Sequence, residues 1–366
     1  MAFRARRSIL SSLWSRMLNS NAPALILAPM DGITDAPMRA LQGATGAFTF
    51  AVSEFLRVSG TPVPKKVFLR DIPELAHGCR TPSGMPVQVQ ILGGNPERMA
   101  ASAENAVKAG ARAIDINFGC PAPTVNRHDG GASLLQHPCR IREIVAAIRS
   151  ATPSEISVSA KLRLGWESIE DIHENAEMAA EGGASWLTIH ARTRKQGYLP
   201  PVYWKPIGQV RDRLSLPIIA NGDIWGLDDF KLCQEQTGCR HFMIGRSALA
   251  NPVLPYEIAA ELGIGGKADS LVDWIQLLRS LVAHTEHYKG QAVAKSVVKL
   301  KQWLKLASIF GDFKHFEAVK QTRSLEEFFD CLETALAFEK TGDKLPRYSG
   351  DCADSEPVVP CASPWR

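Results

Sequence analysis

Residues 113–121 read Ala113-Ile114-Asp115-Ile116-Asn117-Phe118-Gly119-Cys120-Pro121. The first five form a short, apolar, β-branched run, and Gly119 and Pro121 then break it into a loop. The same pattern recurs outward in both directions, at 24–28, 48–52, 87–92, 156–162, 186–190, 217–220 and 241–244. Between most of these runs lie segments with helical spacing, marked by Ala101, Ala106 and Ala109, by Ile141, Ile144, Val145 and Ile148, and by Ile172, Ala176, Ala179 and Ala180. Asp228 and Asp229 stand near the start of a further helix, where carboxylates suit the helix dipole. Apolar strands alternating with helices predict a parallel sheet buried on both faces. Eight such units in about 240 residues fit a (β/α)8 TIM barrel better than a doubly wound sheet. No G-x-G-x-x-G follows the first strand, which argues against a Rossmann fold.

Composition sets the frame. Of 366 residues, 45% are hydrophobic and 22% charged, with a formal net charge of +4, which excludes a disordered chain. The 28 glycines have no three-residue period, so a collagen helix is excluded, and no apolar run approaches the roughly 18 residues of a membrane span. The charge is unevenly spread. Residues 1–23 carry +4 through Arg4, Arg6, Arg7 and Arg16, and residues 24–278 carry −1. Residues 279–323 hold nine basic side chains against Glu286, Asp312 and Glu317, and residues 324–366 carry −5. The +6 segment is either the footprint of a polyanion binder or a solvated helix face.

None of the eight cysteines forms a C-x-x-C pair, so no structural zinc site is expected, and free thiols in a reducing cytoplasm are. Residues 1–20 lack the continuous apolar segment of a secretory signal. The Arg-rich, acid-free start reads as a flexible basic extension, with a mitochondrial transit peptide as the alternative. Residues 1–22 are therefore an extension, 23–262 the barrel, 263–340 a helical domain and 341–366 a tail expected to be disordered. In the helical part, Leu271, Trp274, Leu278 and Leu281 share one face, and Val297, Leu300, Leu304 and Ala307 another. Lys295, Lys299, Lys301 and Lys305 recur at spacings that place several near one another.

A barrel puts function at the carboxyl ends of its strands. Those ends carry Pro29, Met30, Asp31 and Gly32; Ser53 and Glu54; Gln90; Asn117 and Cys120; Lys161 and Arg163; His190 and Arg192; Asn221, Gly222 and Asp223; and Gly245 and Arg246. The last two groups form the corner where TIM barrels often hold a phosphate, with glycines permitting close backbone approach and Arg246 adding charge. Lys161 sits in an otherwise apolar strand and needs a buried partner, which a negatively charged cofactor such as a reduced flavin ring supplies. Gln90 and His190 are placed to hydrogen-bond the same ring or its side chain. Cys120, on a loop stiffened by Gly119 and Pro121, is a nucleophile or a proton donor. Asn117 offers an amide to the edge of a heterocycle.

With these residues in hand, the chain resembles the tRNA-dihydrouridine synthase family over roughly residues 24–338. The likeness rests on Ala28-Pro29-Met30-Asp31-Gly32-Ile33-Thr34-Asp35, Asn117-x-Gly119-Cys120-Pro121, Lys161-x-Arg163, His190-x-Arg192-Thr193, Asn221-Gly222-Asp223-Ile224 and Met243-Ile244-Gly245-Arg246. Related flavin barrels acting on a free pyrimidine or on dihydroorotate also carry a Cys-Pro loop, usually with Ser before the Cys. Gly119 and the basic helical segment favour the tRNA enzymes. Within the family the chain is most similar to the C subfamily, which acts on uridine 16 of the D-loop. That likeness rests on Glu54-Phe55-x-Arg57-Val58, Arg80-Thr81-Pro82-Ser83-Gly84, Arg163-Leu164-Gly165-Trp166, Gln196-Gly197-Tyr198 and Lys301-Gln302-Trp303-Leu304. The Arg-rich start and the acidic tail depart from the family pattern.

The resemblance implies a TIM barrel followed by a helical tRNA-binding domain, and a monomer that needs neither membrane nor metal. It also implies FMN, reduced by NADPH, with hydride passing to C6 of uracil and a proton from Cys120 to C5. Pro29, Met30, Gln90, Lys161, His190, Asn221, Gly222, Asp223, Gly245 and Arg246 are then expected to hold FMN. Asn117, Arg163 and Tyr198 are expected to orient the uracil, and Lys295, Lys299 and Lys305 to contact the tRNA. The target base lies inside folded tRNA and has to be extruded into the barrel mouth.

Overall fold

The computed structural model describes residues 18, 22–127, 130–265, 272–289 and 296–341. Nine parallel strands run as β1 (Ala24–Leu27), β2 (Phe50–Val52), β3 (Leu56–Arg57), β4 (Val87–Leu92), β5 (Ala113–Asn117), β6 (Ser157–Arg163), β7 (Leu187–His190), β8 (Ile218–Asn221) and β9 (His241–Ile244). Pairing of β1 with both β2 and β9, and of β2 with β4, closes eight of them into a barrel. This is the TIM barrel expected from the alternation of runs.

The ninth strand, β3, is a finding of the structure. β2 is three residues long and on its β4 side reaches only Val87 and Gln88, so the outer half of β4 needs another partner. β3 supplies it, pairing Leu56 with Ile91 and Arg57 with Leu92. Ser53 spans the break: its amide donates to the Gln88 carbonyl (2.8 Å) and its Oγ accepts from the Gln90 amide (3.0 Å).

Helices α1 (Ala36–Ala44), α2 (Lys65–Asp71), α3 (Pro96–Ala109), α4 (Pro123–Asn126), α5 (Pro138–Ala151), α6 (Asp171–Glu181), α7 (Lys205–Arg213), α8 (Leu227–Thr237), α9 (Arg246–Ala250) and α10 (Leu254–Glu261) belong to the barrel. Their starts are legible as chemistry. Asp35 and Asn95 cap α1 and α3 by accepting from the amides of Met38 and Arg98, and proline opens several others in the first turn. The buried faces follow the predicted periodicity at Ile141, Ile144, Val145 and Ile148 of α5 and at Ile172, Ala176 and Ala179 of α6, all fully buried, while Ala101 of α3 and Ala180 of α6 are half-buried.

Four more helices follow: α11 (Trp274–Lys289), α12 (Ser296–Phe310), α13 (Phe316–Val319) and α14 (Leu325–Thr341). Leu278, Leu281, Val297, Leu300, Leu304 and Ala307 are buried, as their spacing predicts, while Leu271 lies outside the described residues. These helices share one apolar cluster with Met38 and Leu41 of α1 and with Leu249 and Ala250 of α9. The indole Nε1 of Trp303 donates to the Leu249 carbonyl at 2.8 Å, and the Lys299 ammonium pairs with Asp35 at the start of α1. The helical part is thus sealed against the barrel. Most of the two predicted terminal segments falls outside the described residues.

Candidate active site

Strand alternation decides which side chains enter the barrel. On β4, β5 and β6 the inward positions are polar: Gln88 and Gln90, Asp115 and Asn117, Ser159, Lys161 and Arg163. Pairing aligns Gln90 with Asp115 and Asp115 with Ser159 in one row, and Asn117 with Lys161 in the next row toward the rim. Arg163 stands opposite His190, and His190 opposite Asn221. The structure therefore gathers Asn117, Lys161, Arg163, His190 and Asn221 at one end of the barrel, with Cys120 on the loop beside them.

Each of these groups is held. The Lys161 ammonium donates to Asn221 Oδ1 at 2.9 Å, and Asn221 Nδ2 donates to the Met243 carbonyl at 2.8 Å. Burial, reinforced by the Arg163 charge, pushes the Lys161 ammonium down to about 8, against the opposing pull of Asp115. His190 is buried, and burial together with the charges of Arg163 and Lys161 keeps its imidazole neutral far below the usual range. Arg163 clamps the Cys120 loop, with Nε donating to the Gly119 carbonyl (2.8 Å) and Nη1 to the carbonyls of Thr193 (3.1 Å) and Gly197 (2.7 Å).

Cys120 is half-buried, and burial raises its thiol above the ordinary cysteine value, so it remains S–H at neutral pH. Its carbonyl accepts from the Ala132 amide at 3.0 Å. That contact brings the chain so close at Gly131, where φ is +63°, that a Cβ would stand 2.9 Å from the Cys120 oxygen. Arg57 of β3 reaches the same loop, donating to the Thr124 carbonyl of α4 at 2.8 Å.

Asp223, Arg192 and Arg246 form the corner beyond β8 and β9. Asp223 pairs with Arg192 and, at 3.0 Å, with Arg246. Burial works to raise its carboxyl, but the two guanidinium groups outweigh this and hold it below the carboxylate range. Arg246 lies 4.7 Å from the Tyr198 ring centroid, 5.2 Å from that of Trp225 and 5.4 Å from that of Phe310, while Tyr198 meets His190 edge-on. Tyr198 is 49% exposed, at the mouth.

Two groups at this end face a ligand-sized need. His190 Nδ1 and Arg192 Nη1 are buried with no hydrogen-bond partner among the described residues. Gly222, at φ +121°, packs against Ala191 so closely that a Cβ would stand 3.1 Å from the Ala191 amide nitrogen. Gly245 and Pro29 line the same end, with Met30 tied by its amide to Thr34 Oγ1 at 2.7 Å. A cofactor with hydrogen-bonding edges and a negative charge matches this donor set.

The predicted tRNA lysines separate. Lys305 is exposed on α12, Lys299 is engaged by Asp35, and Lys295 lies outside the described residues. Sequence reasoning did not single out Asp115, Ser159 or the Arg39–Glu74 ion pair, whose side chains are almost fully buried 2.8 Å apart. The period-two polar pattern within β5 and β6 carries the signal for the first two. Nothing local announces the third, because its partners stand 35 residues apart.

Residues 26–339 match the family model described as Dihydrouridine synthase (Dus). The chain belongs to the dihydrouridine synthase family. This dihydrouridine synthase is similar to the tRNA-dihydrouridine(16) synthase of Shewanella oneidensis, 44% identical over 279 residues that cover 76% of this chain and 87% of that one. The enzyme of the same name from Ralstonia nicotianae is 37% identical over 322 residues, covering 86% and 96%. That from Neisseria meningitidis serogroup A is 42% identical over 318 residues, covering 84% and 94%. As a member of this family the chain is an oxidoreductase.

Proposed function

We propose that this dihydrouridine synthase reduces the C5=C6 bond of uridine 16 in the D-loop of tRNA, using FMN as cofactor and NADPH as reductant. The relatives' shared name supports the substrate and the position. The observation that carries the chemistry is the state of Cys120: a thiol kept protonated by burial, on a clamped loop, beside a cationic and hydrogen-bonding floor.

FMN fits the donor set. Lys161, His190 and Gln90 would face its ring, and Gly222, Gly245, Asp223 and Arg246 its phosphate end, with Pro29 and Met30 against one side. Once reduced, the bound flavin supplies the hydride that adds to C6 of uracil. The chain's residues do the rest. Lys161 places positive charge in the floor, in a buried setting where it acts strongly. Arg163, Asn117 and Tyr198 line the space where an extruded uracil enters, and Tyr198 offers a face on which a base can stack. Negative charge develops at C5 as C6 is reduced, and the Cys120 Sγ–H bond breaks to give C5 its proton, leaving a thiolate near Arg163. Lys305 on the exposed face of α12 contributes to phosphate contact.

Cys120→Ala tests this reading. The variant is expected to purify yellow, with the absorption of bound flavin, and to oxidise NADPH. It is expected to lose at least about a hundredfold in dihydrouridine formation, the range of a general acid. Normal dihydrouridine formation by the variant removes Cys120 from the reaction. A colourless wild-type protein removes the flavin, and turnover of free uracil without tRNA removes the substrate assignment.

A further inference from the structure

Four polar side chains between the barrel floor and the Cys120 loop form one hydrogen-bonded line. Ser159 Oγ donates to Asp115 Oδ1 at 2.5 Å. Gln90 Nε2 donates to Asp115 Oδ2 at 2.7 Å. Asn117 Nδ2 donates to Gln90 Oε1 at 2.9 Å. Asn117 Oδ1 then accepts from two backbone amides, those of Gly119 and Cys120, both at 2.9 Å. The line begins at a carboxylate one row below the site and ends at the amide of the acid itself.

We propose that Asp115 is a positioning residue, which fixes the Cys120 loop through the amide groups of Gln90 and Asn117. An amide side chain has one end that donates and one that accepts, so it can be placed either way round. Asp115 removes that freedom. Both of its oxygens accept, which forces Nε2 of Gln90 toward it and Oε1 toward Asn117. Asn117 must then present Nδ2 to Gln90 and Oδ1 to the loop. Were either amide reversed, two donors would face one another without water, because Gln90 and Asp115 are at most 2% exposed and Asn117 is 9% exposed. Burial raises the Asp115 carboxyl, against the opposing pull of its hydrogen bonds to Ser159 and Gln90 and of the Lys161 charge. A carboxyl group buried in the barrel floor, bonded among the described residues to an amide and a hydroxyl but to no guanidinium or ammonium, is costly for stability alone, and orientation of the loop explains its presence.

The same line gives Asn117 a role different from reading the base. Its Oδ1 already accepts two bonds and its Nδ2 donates one, so its chief action is on the loop that carries the thiol.

The inference rests on Cys120 as the proton donor, and its test separates the two. Asp115→Asn is nearly isosteric but has only one accepting end. Either it offers an amino group to Gln90, which reverses both amides, or it offers one to Ser159, whose hydrogen loses its acceptor. Alkylation of Cys120 by iodoacetamide, followed by peptide mass spectrometry, reads the loop without flavin or tRNA. It is expected to change at least about threefold in rate. In the holoenzyme, reduction of the flavin by NADPH is expected to fall by less than transfer to tRNA, since Gln90 faces the flavin but the line ends at the Cys120 loop. Transfer to tRNA is expected to fall at least about tenfold. Ser159→Ala, which removes one bond at small cost in volume, is expected to move the same readouts in the same direction by less, and it decides the matter if Asp115→Asn fails to fold. Wild-type alkylation and tRNA reduction in both variants overturn the proposal. So does a parallel fall of both half-reactions with melting temperature, which marks a merely structural carboxylate. Altered alkylation in a protein that never binds flavin upholds the line and sinks only the flavin reading.

Discussion

Lys161 shows how burial turns one residue into a sensor of its ligand. Its ammonium is pushed down to about 8 by desolvation and by Arg163, and among the described residues its hydrogen bond goes to Asn221 Oδ1. Below that pH it is charged and above it neutral. An anionic ligand favours the charged form, so binding raises its pKa and takes up a proton as pH rises past 8. Affinity for reduced FMN is therefore expected to be flat below about pH 8. Above it, affinity falls by up to about tenfold per pH unit until the bound-state pKa is passed. Anaerobic equilibrium dialysis between about pH 7 and about pH 10 measures this, and Lys161→Met is expected to give weaker, pH-independent binding. A slope that survives in Lys161→Met assigns the titration to another group. His190, held neutral far below this window, adds nothing to it.

Helix α12 carries the basic character on which the tRNA expectation rested, and the structure divides its lysines by task. Lys299 meets Asp35, Lys301 donates to the carbonyls of Lys320 and Thr322, and Lys305 is exposed. Arg279, Lys314 and Lys320 have Glu333, Glu339 and Glu317 as partners. Three of the six net positive charges of this segment are thus met by carboxylates elsewhere in the chain, those of Asp35, Glu333 and Glu339. Lys305→Ala is expected to weaken tRNA binding and reduce the slope of log K against log salt by about 1. Lys299→Met is expected to leave that slope unchanged while lowering the melting temperature. Filter binding across a salt series and thermal melts separate the two, and equal slope changes would return Lys299 to the tRNA surface. The strands and the rim were legible because each parallel strand is a short apolar run that ends in polar residues. Charge along α12 was legible only as a sum, since pairing with Asp35, some 260 residues away, is set by tertiary contact. β3 escaped for a related reason: two residues, Leu56 and Arg57, form a strand only because β2 stops short. Asp115 was hidden in plain view, as one polar letter in an apolar run whose meaning depends on Gln90 and Ser159 across two strand boundaries.

At the scale of the whole molecule the barrel and the helical part share one apolar cluster, which predicts that they unfold as one cooperative unit. Met38 and Leu41 of α1 and Leu249 of α9 are buried in the same cluster as Leu300, Trp303 and Leu304 of α12. Burial of each such side chain contributes about 1.5–3 kcal/mol, so neither part keeps its share of the core alone. Trp303 is central: it is 3% exposed, packs edge-on with Trp274 and donates its indole hydrogen across the boundary to Leu249. Trp303→Ala removes this side chain and leaves a buried carbonyl unpaired, and it is expected to cost about 3–5 kcal/mol. Because the core is shared, the loss is expected to appear as one transition moved to lower denaturant with an unchanged slope. Far-ultraviolet circular dichroism and bound-flavin fluorescence should report the same midpoint. Two separated midpoints, with the flavin signal surviving after the helices have melted, would show instead that the barrel stands by itself. The helical part would then be a tethered module, and its contact through Trp303 would position tRNA without supporting the site.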